Sequence, residues 1–274
     1  RHGVVMKHRS PVPRIQRSGE EFIVHCGAGD TFPAQTVVSN VDPLVAVRQL
    51  VDEDLIPRAV KKKVARLRPS AGSFYAFIGT PLDLRSFGLT DANLFHLDYT
   101  DVNRSLYAVP ERRPEDPFPY FMMTSPTLKD PDHPHAPEGH TALELITGLG
   151  YEHDFTPWAG TPSRRRGDDY EALKEKVGMS LVRSAERYVP GLSDNLDYVE
   201  FATPLSNAYW VNSMEGGNFG PEQAPDQFGP GRFFNCQCGI DGLFVVGAGA
   251  ISGGVQSCMA SGVWAAHQAV DFIG

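Results

Sequence analysis

Positive charge is the scarcer sign in this sequence. Lysine and arginine number 25 against 33 aspartates and glutamates, so the 274-residue chain carries −8 at neutral pH. That balance lacks the basic footprint of a nucleic-acid binder, and no nucleic-acid partner is expected. Long apolar runs are lacking too. The longest stretch near the end without a charged or strongly polar residue, Gly242 to Ile251, falls well short of the ~20 residues that cross a bilayer. Cysteine is sparse: Cys26, Cys236, Cys238 and Cys258. Four thiols with no signal-like segment fit a reducing compartment. The expected setting is cytoplasmic, or peripheral to a membrane on its cytoplasmic side. Cys236-x-Cys238 is not the Cys-x-x-Cys of a metal site, the loop with Asp130, Asp132, His133, His135 and His140 fits no ligand template, and no metal is expected.

Glycine and proline, by contrast, are abundant. Their 27 and 22 copies are about 18% of the chain, against ~12% in average usage, so turns should be frequent. Hydrophobic residues make up 41%, enough for a sizeable core. The sequence opens on Arg1 rather than Met, and a piece of something longer is expected.

Short strands are expected at Val4–Met6, around Ile15, at Glu21–His25 and at Thr36–Ser39, with a hairpin-type loop over 27–30. Pro43 opens a helix whose apolar positions are Leu44, Val47, Leu50 and Val51. A basic helix follows from Ile56 to Leu67. Strand-like segments then cover 73–79, 93–98, 119–124 and 141–147. Asp168–Val189 is the strongest helix, with an acidic first turn, an apolar stripe and Pro190-Gly191 as its stop. No regular βαβ rhythm appears, which argues for a mixed α+β layer. Three segments are expected, 1–43, 44–238 and 239–274.

The last segment carries the chemistry. Leu243-Phe244-Val245-Val246 is a continuous apolar run, the mark of a strand covered on both faces. Gly247-Ala248-Gly249 and Gly253-Gly254 follow, and a helix is expected from Val255 to Ile273. The first N–H groups of a helix lack intrahelical partners and sit at the positive end of its dipole. Glycines let a ligand approach such a backbone. Only 21 residues follow Gly253, so this bend is not the first βα unit of a self-sufficient dinucleotide fold. It reads as a strand and helix closing a sheet built elsewhere.

Gly242 to Gly249, then Gly253-Gly254-Val255 and Ala260 to Ala266, resemble the C-terminal flavin-binding signature of the phytoene desaturase family. That family includes carotenoid isomerases and retinol saturases within the flavin amine oxidase-like group. Ser10 to Ile15, Val37 to Pro43, Asp130 to Gly139, Tyr188 to Leu192 and Ala202 to Leu205 resemble further family motifs, in the family's order. The chain departs from the pattern at Ala250-Ile251-Ser252, where the family has a longer run with His-Pro. The family's N-terminal Gly-x-Gly-x-x-Gly is not in the sequence.

The resemblance implies an α/β fold of mixed α+β character: the C-terminal part of an FAD-binding Rossmann-like domain (1–43 and 239–274) plus a mixed-sheet substrate domain with helices (44–238). It implies FAD as cofactor, held by Val12, Gly247, Ala248, Gly249, Gly253, Gly254, Val255 and Gln256. It implies oxidoreduction at C–C bonds (desaturation, saturation or isomerisation) of an apolar isoprenoid or polyene-like substrate, lined by Phe74, Tyr75, Phe77, Phe95, Tyr209 and Trp210. The expected partner is the N-terminal FAD-binding half, in the same polypeptide or as a separate chain. The basic runs Lys61–Lys63 and Arg164–Arg166 allow peripheral membrane contact. Two other readings stand beside this one: a flavin amine oxidase acting on C–N bonds, and a non-catalytic half-enzyme acting as an interaction protein.

Overall fold

Two different sheet types organise the chain, and each follows from its local apolar pattern. The computed structural model describes residues 3–27, 29–149 and 154–274, with the side chains of Tyr107, Pro110 and Arg164 excepted. Ala28 of the expected 27–30 loop therefore lies outside the described residues, as does the Arg164 side chain. The chain divides into two compact units. One holds Arg1–Ser70, Asn212–Met214 and Phe219–Gly274; the other holds Ala71–Val211 and Glu215–Asn218.

In the first unit, β1 (Arg14–Ser18), β2 (Glu21–His25) and β3 (Thr31–Ala34) form an antiparallel sheet in that order. Val4, Val5 and Met6 form no strand and are 76–81% exposed, because no described strand pairs with them. β4 (Val37–Ser39) leads to Asp42, which caps α1 (Pro43–Val45) by accepting the Leu44 N–H at 2.9 Å. That helix continues as a π-helical turn over Ala46–Leu50. α2 is shorter than expected, Arg58–Val64.

The second unit is one antiparallel sheet backed by helices. Its strands are β5 (Ser73–Thr80), β6 (Leu94–Leu97), β7 (Tyr120–Thr124), β8 (Thr141–Gly148) and β9 (Tyr198–Ala202), in spatial order β6-β7-β8-β5-β9. α3 (Val102–Glu111), α4 (Pro126–Lys129), α5 (Asp168–Ala185) and α6 (Pro204–Trp210) complete it. β8 alternates strictly between buried and half-buried positions, and β5 does so from Phe74 onward, so one face is core. Val177, Leu181, Val182 and Ala185 of α5 share a cluster there with Phe74, Ile78, Leu143 and Leu145. Each such leucine or phenylalanine contributes about 1.5–3 kcal/mol on full burial. Gly178 is required on α5 because a Cβ would strike the Phe201 ring.

The chain then returns to the first unit with β10 (Leu243–Val245) and α7 (Val255–Ile273). β10 pairs in parallel with β4, Leu243 opposite Val37 and Val245 opposite Ser39. The division between units differs from the expected boundaries after 43 and 238. Segments 44–70 and 219–238 belong to the first unit because Leu44, Val47, Val60, Leu67 and Phe233 share one cluster with Ile15, Leu243 and Val245. Among the described residues, no helix is long and apolar enough to cross a membrane.

Candidate functional site

The bend after β10 is locked from several sides. All three β10 residues are buried, and the Val246 N–H still donates to the Ser39 carbonyl at 2.9 Å. Gly247 then turns at φ +79°, where a Cβ would also collide with Asn40 Oδ1; only glycine adopts this conformation without strain. Its N–H donates to Ser261 Oγ at 2.8 Å. The Ser261 hydroxyl donates in turn to the Cys258 carbonyl at 2.6 Å. A Cβ on Gly249 would collide with the Pro43 ring, and one on Gly253 would lie 2.9 Å from Phe219.

A buried arginine braces the same turn. Arg232 is 1% exposed. It donates to the carbonyls of Gln227 (2.7 Å), Pro221 (3.1 Å), Glu222 (2.9 Å) and Ala248 (3.4 Å). Burial holds its pKa below the usual arginine value, yet guanidinium remains charged at any physiological pH. Gln223, with its amide oriented to suit its neighbours, accepts from the Gly253 N–H and from Arg232 Nη1, both at 3.2 Å.

Beyond Gly253 the backbone opens. Gly254 has φ +101°, and a Cβ built on it would meet no atom within 4 Å. No side chain caps α7, and its first hydrogen bond runs from the Cys258 N–H to the Gly254 carbonyl at 3.1 Å. The N–H groups of Val255, Gln256 and Ser257 therefore precede the helical ladder. Val255 is 76% exposed. An uncapped 19-residue helix with open space before its first turn suits the edge of a planar, electron-rich ring.

The expected cofactor residues thus separate into two kinds. Gly247, Gly249 and Gly253 are fixed by protein packing. Gly254, Val255 and Gln256 face open space. Ala248 is half-buried, and its carbonyl is taken by Arg232. Val12 packs at the margin of the cluster that holds Ile15 and Leu243.

The expected substrate-lining residues lie in the second unit, and the structure sorts them as well. Phe74 is a correction. It is fully buried, with ring centroids 6.1 Å from Phe155 and 6.0 Å from Phe201, because it points to the α5 side of β5. Tyr75 and Phe77 point to the opposite face and stack at 5.8 Å. Strand register extends that face: Phe95 lies opposite Met122, Met122 opposite Ile146, Ile146 opposite Tyr75, and Tyr75 opposite Ala202. Directly opposed residues share a face, so these five make an apolar row across all five strands. The next row is Thr124, Glu144, Phe77 and Glu200. Tyr209 and Trp210 are not part of the sheet. They sit in the last turn of α6, 53% and 79% exposed, edge to face at 4.9 Å.

Sequence reasoning missed Met122, Ile146 and Glu144, although each is offset by one from a core residue of its strand. It also missed the polar bolt behind Tyr75, whose hydroxyl donates to Asn218 Oδ1 at 3.5 Å. Asn207 donates to the same oxygen at 2.5 Å, and the Asn218 amide donates to Ser73 Oγ.

Residues 1–270 match the family described as flavin containing amine oxidoreductase. The chain belongs to that family. All-trans-retinol 13,14-reductase of Danio rerio is 23% identical over 208 residues, 71% of this chain and 34% of the relative. Phytoene desaturase (neurosporene-forming) of Rhodobacter capsulatus is 24% identical over 273 residues, 94% of this chain and 47% of the relative. Among solved structures, wild-type putrescine oxidase bound to putrescine matches with a TM-score of 0.57 at 12% identity, over 96% of this chain and 48% of that one. The last likeness establishes the fold, that of putrescine oxidase. The chain spans about a third to a half of the length of these curated relatives. The family is flavin-containing, and FAD is the cofactor class that goes with it.

Proposed function

We propose that this chain supplies the flavin-facing bend and the substrate face of an FAD-dependent oxidoreductase. The reaction alters C–C bonds of an apolar isoprenoid or polyene-like molecule by desaturation, saturation or isomerisation. The observation that carries this reading is the uncapped start of α7, with open space at Gly254, in a chain of a flavin-containing family.

Bound FAD supplies hydride transfer to or from carbon. The N–H groups of Val255 and Gln256, with the positive end of α7, would hold the electron-rich edge of the ring and would favour negative charge there. Ser261 and Arg232 keep those donors in place by holding Gly247 and Ala248. The row Phe95, Met122, Ile146, Tyr75 and Ala202 binds and orients the apolar substrate by contact. Five strands at ~4.8 Å spacing make it about 19 Å wide, a span suited to an extended isoprenoid chain.

The reading includes a second half carrying the nucleotide-binding Gly-x-Gly-x-x-Gly. Two features support it. Among the described residues the parallel sheet of β4 and β10 has two strands, whereas parallel strands are stable when both faces are covered. α7 also keeps Val255, Met259, Val263, Trp264, Val270, Phe272 and Ile273 exposed.

The test uses the whole enzyme, with its flavin oxidised or reduced beforehand, incubated anaerobically with retinol, phytoene or putrescine and followed by chromatography and mass spectrometry. Gain or loss of two hydrogens, or a change of double-bond geometry, is the expected result. Oxidation of amines with no change in either polyene would replace this reading with C–N chemistry.

A further inference from the structure

Arg58 to Arg68 contains six cations in eleven positions and no carboxylate, in a chain whose net charge is −8. Three of the six are committed within the fold. Lys61 pairs with Glu53 at 2.8 Å. Lys63 donates to the Pro230 and Arg232 carbonyls at 3.1 and 3.0 Å. Arg68 is held by Asp226 through two bonds of 3.0 Å and by Glu222 at 2.9 Å.

Arg58, Lys62 and Arg66 remain. They recur every four residues along α2 and the turn after it, so they share one stripe. All three are exposed, and no described side chain pairs with them. Like charges at this spacing repel.

Beside the stripe lies a hollow of about 600 Å³, entirely within the first unit. Lys62 and Arg66 line it as cations, and Ala59, Leu67 and Pro230 give it apolar wall. Asp226 lines it too, but both its oxygens are occupied by Arg68. An entering group therefore meets a planar guanidinium fork and an ammonium, next to surface that tolerates carbon. Arginine forks match phosphate oxygens in pairs, and lysine adds a point charge.

We propose that this hollow binds a phosphate ester, with Lys62 and Arg66 as direct donors and Arg58 as an attracting charge beside them. The same chemistry is offered by an anionic lipid headgroup at a bilayer surface and by a soluble phosphate monoester. The site uses none of the residues assigned to flavin or to the apolar row, so it stands or falls independently of the oxidoreductase reading.

Two arms test it. Sedimentation with phosphatidylcholine vesicles, with and without phosphatidate, probes the lipid source. Calorimetric titration with glycerol-3-phosphate probes the soluble one. Each is repeated with R58Q/K62Q/R66Q and with a charge-matched control, K7Q/R9Q/R85Q, both checked for native circular dichroism. Binding in at least one arm that falls by about tenfold or more in the first variant and persists in the control is expected, and the arm that responds names the source. No binding in either arm, unchanged binding in R58Q/K62Q/R66Q, or equal loss in the control overturns the proposal.

Discussion

α5 and α7 are the two longest helices, and they are built in opposite senses. α5 turns Val177, Leu181, Val182 and Ala185 inward, begins with Asp168, Asp169 and Glu171, and pairs Lys174 with Glu171 and Lys176 with Glu115 on its outer side. α7 turns only Ser261, Ala265 and Ala269 fully inward, leaves seven large apolar side chains outside, and has Asp271 as its single charge. The first is a finished surface helix, apolar within and charged without. The second is apolar on both sides, with one side exposed. The second unit thus covers its own core, whereas α7 of the first unit leaves an apolar face open.

The contrast is sharpest for core truncation in the second unit. Phe121 is fully buried, with His96 at 4.6 Å and Tyr188 at 6.3 Å between ring centroids. Phe121→Ala is expected to cost about 3–5 kcal/mol in urea unfolding, whether or not the rest of an enzyme is present. A loss below ~1 kcal/mol would show that this core is not self-contained. In the first unit, Arg232→Leu removes the shared donor to four loop and bend carbonyls. A loss of about 1–3 kcal/mol is expected by the same measurement, and an unchanged midpoint would show that those carbonyls find water instead.

A pH titration separates the units without disturbing packing. His96 is buried between Tyr188 (2.9 Å) and Asp98 (3.1 Å), and burial, partly opposed by Asp98, holds its pKa below the ordinary 6.5. The neutral ring is therefore favoured in the native state. Its stabilising contribution is complete above the ordinary histidine pKa and is lost as pH falls through that value toward the lower native one. The second unit should lose stability over that interval, and His96→Phe should flatten the slope. A slope that survives the substitution would assign the effect elsewhere.

The smallest expected effect is on the exposed stripe. Met259→Ser with Val263→Ser should change the stability of this chain by no more than ~0.5 kcal/mol per site, yet weaken assembly with a nucleotide-binding half in a pull-down. A large loss in the chain alone would mean that α7 already packs on both sides.

Much of this was legible in the sequence. The strands at 73–79 and 141–147 were readable because β-formers fill them, and Val255–Ile273 because a glycine pair precedes a long run without a breaker. The glycine bend was readable because strand, glycines and helix are contiguous. β9 was not, since an edge strand with Tyr198, Val199 and Glu200 all exposed shows no buried face. Phe74 and Tyr75 were read together as substrate-lining, because only the position of α5 decides which face of β5 is core. Arg232 gave no sign at all. An arginine after Gly229-Pro230-Gly231 reads as solvated, and ligation by backbone carbonyls leaves no pattern in residue type.

The most direct measurement is the visible spectrum and reduction potential of flavin in the whole enzyme, wild type beside Gly254→Pro. Proline cannot adopt φ +101°, so the first turn of α7 must move. Loss of the yellow chromophore, or a lower potential with flavin retained, is the expected result. Equal flavin content at an equal potential would contradict the placement of the isoalloxazine before those amides.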